Sequence, residues 1–205
     1  DLFEAWIGDD DPEPAKRRVV QAIKDYSRSG PPCYFMHGNR DYMTGQVFAS
    51  RAGVKNLPYP SEVDLNDTKV LLMHGDTLCT DDTENQAFRR KVRHPIWQQH
   101  FLEQSLEHRQ AMAAQARDAS RQHTGSAPAA IMDVNDEAVA AALRAAGVET
   151  LIHGHTLRPG VHEFVVDGRG ATRMVLGDWF TQGSVLRWSG EGYRIDSLVR
   201  DEAGG

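Results

Sequence analysis

Three short apolar runs in this chain each end in His-Gly: Tyr34-Phe35-Met36 into His37-Gly38, Val70-Leu71-Leu72-Met73 into His74-Gly75, and Leu151-Ile152 into His153-Gly154. Each run has the length of a buried strand. Each stops at a polar residue beside a glycine, which lets the backbone turn sharply with no Cβ in the way. More polar side chains follow: Asn39-Arg40-Asp41, Asp76, and His155. In an open α/β sheet, ligands gather outside the carboxyl ends of the strands. The pattern therefore predicts one polar site shared by several strand ends. His, Asp and Asn supply nitrogen and oxygen donors together, so that site is predicted to hold metal.

The 205 residues fit one domain with room for an insertion. A hydrophobic share of 40% and a charged share of 25% are ordinary for a globular chain. Net charge of −6 argues against a general nucleic-acid binder. Cys33 and Cys79 show neither CxxC spacing nor a disulfide framework, and read as free thiols in a reducing compartment. No stretch approaches the roughly 18 apolar residues of a membrane span, and no secretory signal pattern is visible.

Along the chain, Asp9-Asp10-Asp11 reads as a solvated loop. A helix is predicted from about Pro14 to Arg28, with Pro14 in its first turn and Val19, Val20, Ile23 and Tyr26 as its core stripe. Gly30-Pro31-Pro32 stops it, and a strand through Cys33 to Met36 leads into Gly38-Asn39-Arg40-Asp41. Val63 to Leu65 and Val70 to Met73 read as strands paired about an Asn66-Asp67 turn. Residues 83–128 are helical in pattern and carry seven Lys or Arg against four acids, so they are basic within an acidic chain. They separate two candidate metal segments and read as a helical insertion beside the site. Asn135 is placed to cap a helix over Asp136 to Ala146, closed by Gly147. A strand from Thr150 to Ile152 enters His153-Gly154-His155. Strands over 161–166, 172–176, 184–188 and 193–198 then alternate with Gly-rich turns, and 201–205 read as a frayed end.

On an extended segment the two side chains of His153-Gly154-His155 project to one side, so both rings can reach adjacent metals. Alone, that pattern is equally a pair of capping histidines. His74 is by itself an ordinary polar strand end, and Asn39 an ordinary turn residue. In order, however, Asp1, Gly38-Asn39-Arg40-Asp41, His74-Gly75-Asp76 and Gly154-His155-Thr156-Leu157 resemble the calcineurin-like metallophosphoesterases over nearly the whole chain. The strings Asp1-Leu2-Phe3-Glu4-Ala5-Trp6, Phe88-Arg89-Arg90-Lys91-Val92-Arg93, Ile131-Met132-Asp133-Val134-Asn135 and Leu176-Gly177-Asp178-Trp179 narrow it. They are similar to the UDP-2,3-diacylglucosamine diphosphatase family of lipid A synthesis.

That resemblance implies an α/β sandwich, two sheets flanked by helices, as a single domain over 1–205 with a helical insertion at about 83–128. It implies hydrolysis of UDP-2,3-diacylglucosamine to UMP and 2,3-diacylglucosamine 1-phosphate with Mn²⁺. It implies a peripheral protein on the cytoplasmic face of the bacterial inner membrane; no nucleic acid is expected, and no protein partner is inferred. Carried over by motif, Asp1 bridges two metals, Asn39, His74 and His153 complete one site, and His155 binds the other. Asn39, Arg40 and His74 form the catalytic set, and Asn39, Arg40, Asp82, Ser120 and His153 contact substrate. His37 is structural. The family opens with a strand bearing Asp-x-His, whereas this sequence begins at the second motif. The resemblance thus implies N-terminal truncation and one incomplete metal site, and leaves open whether the fragment is active. Leu157 stands where the family places a further His.

Arg40 bears on substrate class through its own chemistry. A guanidinium with a pKa above about 12 cannot protonate an alkoxide leaving group. Its planar donors can neutralise phosphate charge, and a phosphate leaving group needs no proton. Arg at this position therefore favours pyrophosphate cleavage. In the insertion, Phe88, Trp97 and Phe101 can receive acyl chains while basic neighbours face diphosphate or anionic headgroups. The same helices can equally be packing. His94, His100, His108, His123 and His162 read as surface or packing residues. Two other readings stay open: another metallophosphoesterase such as a nucleotide pyrophosphatase, and a catalytically dead binding module on the same fold.

Overall fold

In the computed structural model, residues 1–128, 130–179 and 182–199 are described; the terminal segment expected to fray lies outside them. They divide into two compact units, residues 1–58 with 80–132, and residues 59–79 with those from 133 onward.

In the first unit, α1 (Pro14–Ser29) begins with proline in its first turn, where a missing N–H is no loss. Val19, Val20 and Ile23 pack on Phe3, Trp6, Phe48 and Ala52. Tyr26 departs from the expected stripe. It is 60% exposed, and its ring lies over Gly30 at the helix end instead. Strand β1 (Tyr34–Phe35) is shorter than expected, because it pairs over two residues only, in parallel with β2 (Lys55–Asn56). Helix α2 (Gln46–Ala52) sits between them in sequence and delivers Phe48 and Ala52 to the apolar cluster. The basic stretch forms three helices: α3 (Thr83–Val92), α4 (Pro95–Leu102) and α5 (Leu106–Ser126). Arg109 of α5 is almost fully buried; it donates to Ile7 O at 2.6 Å and to both oxygens of Asp10, tying α5 to the segment after Trp6.

In the second unit, one sheet runs in the order β3 (Ser61–Leu65), β4 (Thr68–Leu72), β5 (Thr150–His153), β7 (Arg169–Val175), β6 (Gly160–Val166). Its centre, β4-β5-β7, is parallel, and its outer strands are antiparallel hairpin partners. The β3-β4 turn is the expected one: Asn66 and Asp67 have φ of 51° and 63°, the left-handed pair a tight hairpin requires. Helix α6 (Asp136–Ala146) starts where Asn135 Oδ1 accepts the N–H of Glu137 and Ala138, and stops at Gly147 with φ 66°. It packs Val139 and Leu143 against Leu71, Leu151 and Ala171 of the sheet. Val70, Ile152 and Met174 face a separate cluster that includes Leu186 and Trp188. These last two belong to a hairpin of β8 (Gln182–Ser189) and β9 (Gly192–Val199). Because β4 and β5 are parallel and in register at Leu72 and Ile152, the chain leaves both at the same sheet end. His74 and His153 stand there, as the apolar runs foretell.

Candidate metal centre and anion-binding residues

In the first unit the polar centre is the turn after β1. Asp41 is fully buried, and its carboxylate accepts N–H groups from Leu2 at 2.6 Å, Phe3 at 3.3 Å and Gly38 at 2.7 Å. It therefore binds the segment at Asp1 to the turn that carries Asn39 and Arg40. Arg40 N–H donates to Asp1 Oδ1 at 2.8 Å. A Cβ at Gly38 would fall 2.0 Å from that same oxygen, so only glycine admits the approach. Arg93 clamps the turn from α3's end: Nη2 donates to Gly38 O at 2.9 Å, Nη1 lies 3.2 Å from His37 Nδ1, and the guanidinium stacks on Tyr42. This gives His37 a structural partner.

Arg40 Nη1 donates to Glu4 Oε1 at 3.1 Å, and Arg117 Nη2 pairs with Glu4 Oε2 at 2.5 Å. Two guanidinium groups thus share one carboxylate. Burial holds the Arg117 pKa below the usual arginine value, and the neighbouring Arg40 charge acts the same way. Asp82 is buried at the N-cap of α3, where it accepts Asn85 N–H. His123 Nε2 lies 3.0 Å from both Asp82 oxygens, and its Nδ1 is 3.3 Å from Glu84. Of the surface or packing roles expected for His123, it takes packing: α5 returns it to the start of α3. Ser120 is exposed one turn earlier on α5. Among the proposed acyl residues, Phe88 is 49% exposed, Trp97 is half-buried, and Phe101 is buried at 7%, stacked on Trp97. Phe101 is core, because α4 must bury one face to pack at all.

In the second unit three histidines crowd the sheet end. His153 is 1% exposed. Its Nδ1 lies 2.9 Å from Gly154 O, which places the ring proton there and leaves the Nε2 lone pair facing Arg173 Nη1 at 3.4 Å. Burial pushes its pKa down to about 4, with the Arg173 and His74 charges acting the same way against the Gly154 bond and Asp133. The ring is therefore neutral near pH 7, the form in which imidazole binds metal. His74 and His155 have ring centroids 5.0 Å apart, and a nitrogen of each lies within 4.8 Å of the other. The extended segment expected for His153-Gly154-His155 does not extend: His155 has φ 62° and Leu157 φ 55°. A left-handed turn, not strand alternation, presents His155, and such non-glycine residues carry strain that functional sites tolerate. Gly75, with φ 115°, lies against His153, where a Cβ would come 2.9 Å from Nδ1.

Around them, Asp133 accepts from Arg158 at 2.7 Å and lies 3.8 Å from Arg173. Asp76 is buried and accepts the Tyr59 hydroxyl at 2.6 Å. Burial first, then the Asp76 charge, pushes the Tyr59 pKa up, so the phenol stays a donor. Glu4, Arg117, His123, Asp133 and Arg173 carry polar contacts that motif reading did not find. For Arg117 a signal existed: it stands three and four residues before Ser120 and Arg121, on one face of α5.

Residues 1–159 match the family of calcineurin-like phosphoesterases. A protein of Stenotrophomonas maltophilia, described as UDP-2,3-diacylglucosamine hydrolase, is 48% identical over 208 residues, covering 98% of this chain and 84% of that protein. Its counterpart of the same description in Escherichia coli is 51% identical over 187 residues, covering 91% of this chain and 78% of that one. The Shigella boydii counterpart gives the same values.

Proposed function

The chain belongs to the calcineurin-like phosphoesterase family, and from that membership we propose that it hydrolyses UDP-2,3-diacylglucosamine to UMP and 2,3-diacylglucosamine 1-phosphate. One observation carries the substrate: identity near one half, across most of both lengths, to hydrolases described by that substrate. Water adds at one phosphorus of the pyrophosphate, the bond from that phosphorus to the bridging oxygen breaks, and the bridging oxygen leaves with the other phosphate.

The residues suit a divalent ion. Asp1 and Asn39 offer oxygen, and His74, His153 and His155 offer imidazole nitrogen; the observation that favours ligation is that ring nitrogens of His74 and His155 come within 4.8 Å of one another. Such mixed donors fit Mn²⁺ without selecting it over other borderline divalent ions. Divalent ions in such sites activate water and stabilise charge on the transferring phosphoryl group. The protein's own part is positional. Asp41 and Arg93 hold the Asn39 and Arg40 turn. Gly154 O fixes the His153 tautomer, as outer partners of metal-binding histidines do. Arg40 supplies fixed positive charge to phosphate oxygens, with Asp82 and Ser120 as further substrate contacts in this reading. His37 and Arg93 stay outside the reaction.

No helix among the described residues is long and apolar enough to cross a membrane. Exposed Phe88, Ile96 and Leu102 stand near Arg89, Arg90 and Lys91 in sequence on α3 and α4. That combination supports peripheral docking on the anionic cytoplasmic face of the inner membrane.

The test is turnover of UDP-2,3-diacylglucosamine with Mn²⁺, Mg²⁺ or Co²⁺, reading UMP and the lipid phosphate by mass spectrometry. The two products are expected, and Arg40→Ala is expected to lower kcat about 10²–10³-fold. Arg40→His should not restore it, since a proton donor is not what the leaving group lacks. Turnover of soluble dinucleotides, with the lipid substrate untouched, would assign the protein to a different phosphoesterase activity.

A further inference from the structure

Two guanidinium groups meet on Glu4, and one of them, Arg40, also reaches Asp1, with Nε 3.5 Å from Asp1 Oδ2. Arg117 comes from the middle of α5, and Arg40 from the turn after β1. Both are mostly buried, with side chains 21% and 22% exposed, while Glu4 between them is 55% exposed. Bringing two like charges together under partial burial is unfavourable, and the lowered Arg117 pKa records both causes. Glu4 offsets this through one oxygen to each arginine, at 2.5 Å and 3.1 Å. The two guanidiniums are thus already set around a single bidentate anion, and that anion sits on the solvent side, where a stronger one can replace it. Arg121, one turn beyond Arg117, adds further positive charge to the same helix face.

We propose that Arg117 and Arg40 form a two-arginine clip for the diphosphate group of the substrate, with Glu4 as its exchangeable occupant in the free protein. Arg117 is then a specificity-determining residue: a diphosphate engages both arginines at once, a lone phosphate only one. Guanidinium suits this because its planar donors meet two anionic oxygens together, which a lysine ammonium cannot do. The clip rests on the pyrophosphate reading above for its natural ligand, but its geometry is that of Glu4, Arg40 and Arg117, with Asp1 holding the Arg40 side chain from its Nε side.

Calorimetric titration of the full chain, in chelator, with inorganic pyrophosphate and with inorganic phosphate tests the clip without the metals. Pyrophosphate should bind more tightly than phosphate. Arg117→Ala should weaken pyrophosphate about 10–100-fold, the range for losing a charge-assisted partner, and should leave phosphate nearly as before. Arg117→Lys should recover only part of the loss. Glu4→Gln should act in the opposite direction and tighten pyrophosphate severalfold, because the competing carboxylate is gone. Unchanged pyrophosphate binding in folded Arg117→Ala, or no tightening in Glu4→Gln, overturns the clip; so does a wild-type chain that binds no pyrophosphate. If Arg117→Ala fails to fold, the Glu4→Gln result alone decides. Turnover is read in parallel: Arg117→Ala should raise KM for the lipid pyrophosphate substrate and spare a single-phosphorus aryl ester. A wild type that binds pyrophosphate through Arg117 yet fails to hydrolyse the lipid substrate would sink the proposed function and leave the clip standing.

Discussion

Asp41→Asn is the substitution that most directly probes how the first unit holds its half of the functional residues. The carboxylate accepts two short bonds, from Leu2 and Gly38, and one long bond from Phe3, with the side chain fully out of solvent. Asparagine is the same size but offers one oxygen. Its amide nitrogen must face a backbone N–H, so one strong bond is lost and two donors oppose each other. A hydrogen bond to a charged group contributes about 1.5–3 kcal/mol, and a buried unsatisfied donor costs about 1–3 kcal/mol. Together these predict a loss of about 3–5 kcal/mol. For a chain of this size each kcal/mol shifts Tm by roughly 2–4 °C, so Tm should fall by about 10 °C. Scanning calorimetry on the metal-free chain reads this directly. The released N–H groups neighbour Asp1 and Asn39, so metal affinity should fall as well, at temperatures where the variant is still folded. A Tm within about 2 °C of wild type, with unchanged metal affinity, would refute the view that Asp41 organises this turn.

Two further outcomes follow from burial. His153 has a folded pKa near 4, below the unfolded value of about 6.5, so between those values the unfolded chain binds more protons; metal-free stability should be full above about pH 6.5 and fall by about 3 kcal/mol as pH drops toward 4. The same pH slope in His153→Gln would remove His153 as its cause. In the insertion, Phe88→Ser should selectively weaken turnover of the lipid substrate over a water-soluble aryl phosphoester, whereas Phe101→Ser should cost about 3–5 kcal/mol of stability and reduce both activities; equal loss of both activities in a fully stable Phe88→Ser chain would detach the insertion from acyl recognition.

What could be read from sequence divides along the range of the interactions involved. Helix α6 is fixed by its own ends, an Asn135 cap and a left-handed Gly147, and both are local signals. The Asn66-Asp67 hairpin is equally local. The strand ends bearing His74 and His153 follow from apolar runs that stop, since a parallel pair of buried strands must release its chains on one side. Other features depend on partners far away in the chain. Strand β1 is two residues long because β2 offers only two. The Tyr26 position is right for a stripe, but α1 runs past the apolar cluster that would cover it. The reversal at His155 needs only one residue to change from extended to left-handed, a conformation histidine adopts at modest cost.

The charged partners were the least legible, and the reason is electrostatic. A motif shows which side chains meet a ligand, because spacing along strand ends and turns is short. It does not show what neutralises or orients those side chains, because countercharges come from wherever the fold returns. Asp82 meets His123 across 41 residues, and Arg40 meets Glu4 across 36. The first return passes through the helical, basic stretch 83–128, yet helicity and net charge say nothing of which of its arginines turns inward. On α5, Arg109 locks onto Asp10 and Ile7, Arg117 reaches Glu4, and Arg121 pairs with Asp118 in solvent. Three arginines on one helix thus take three different roles: a buried tie, a shared carboxylate beside the Asn39 turn, and a surface pair worth little. Only the second puts positive charge where a diphosphate can compete for it, which is why Arg117 and not its neighbours carries the prediction of pyrophosphate binding.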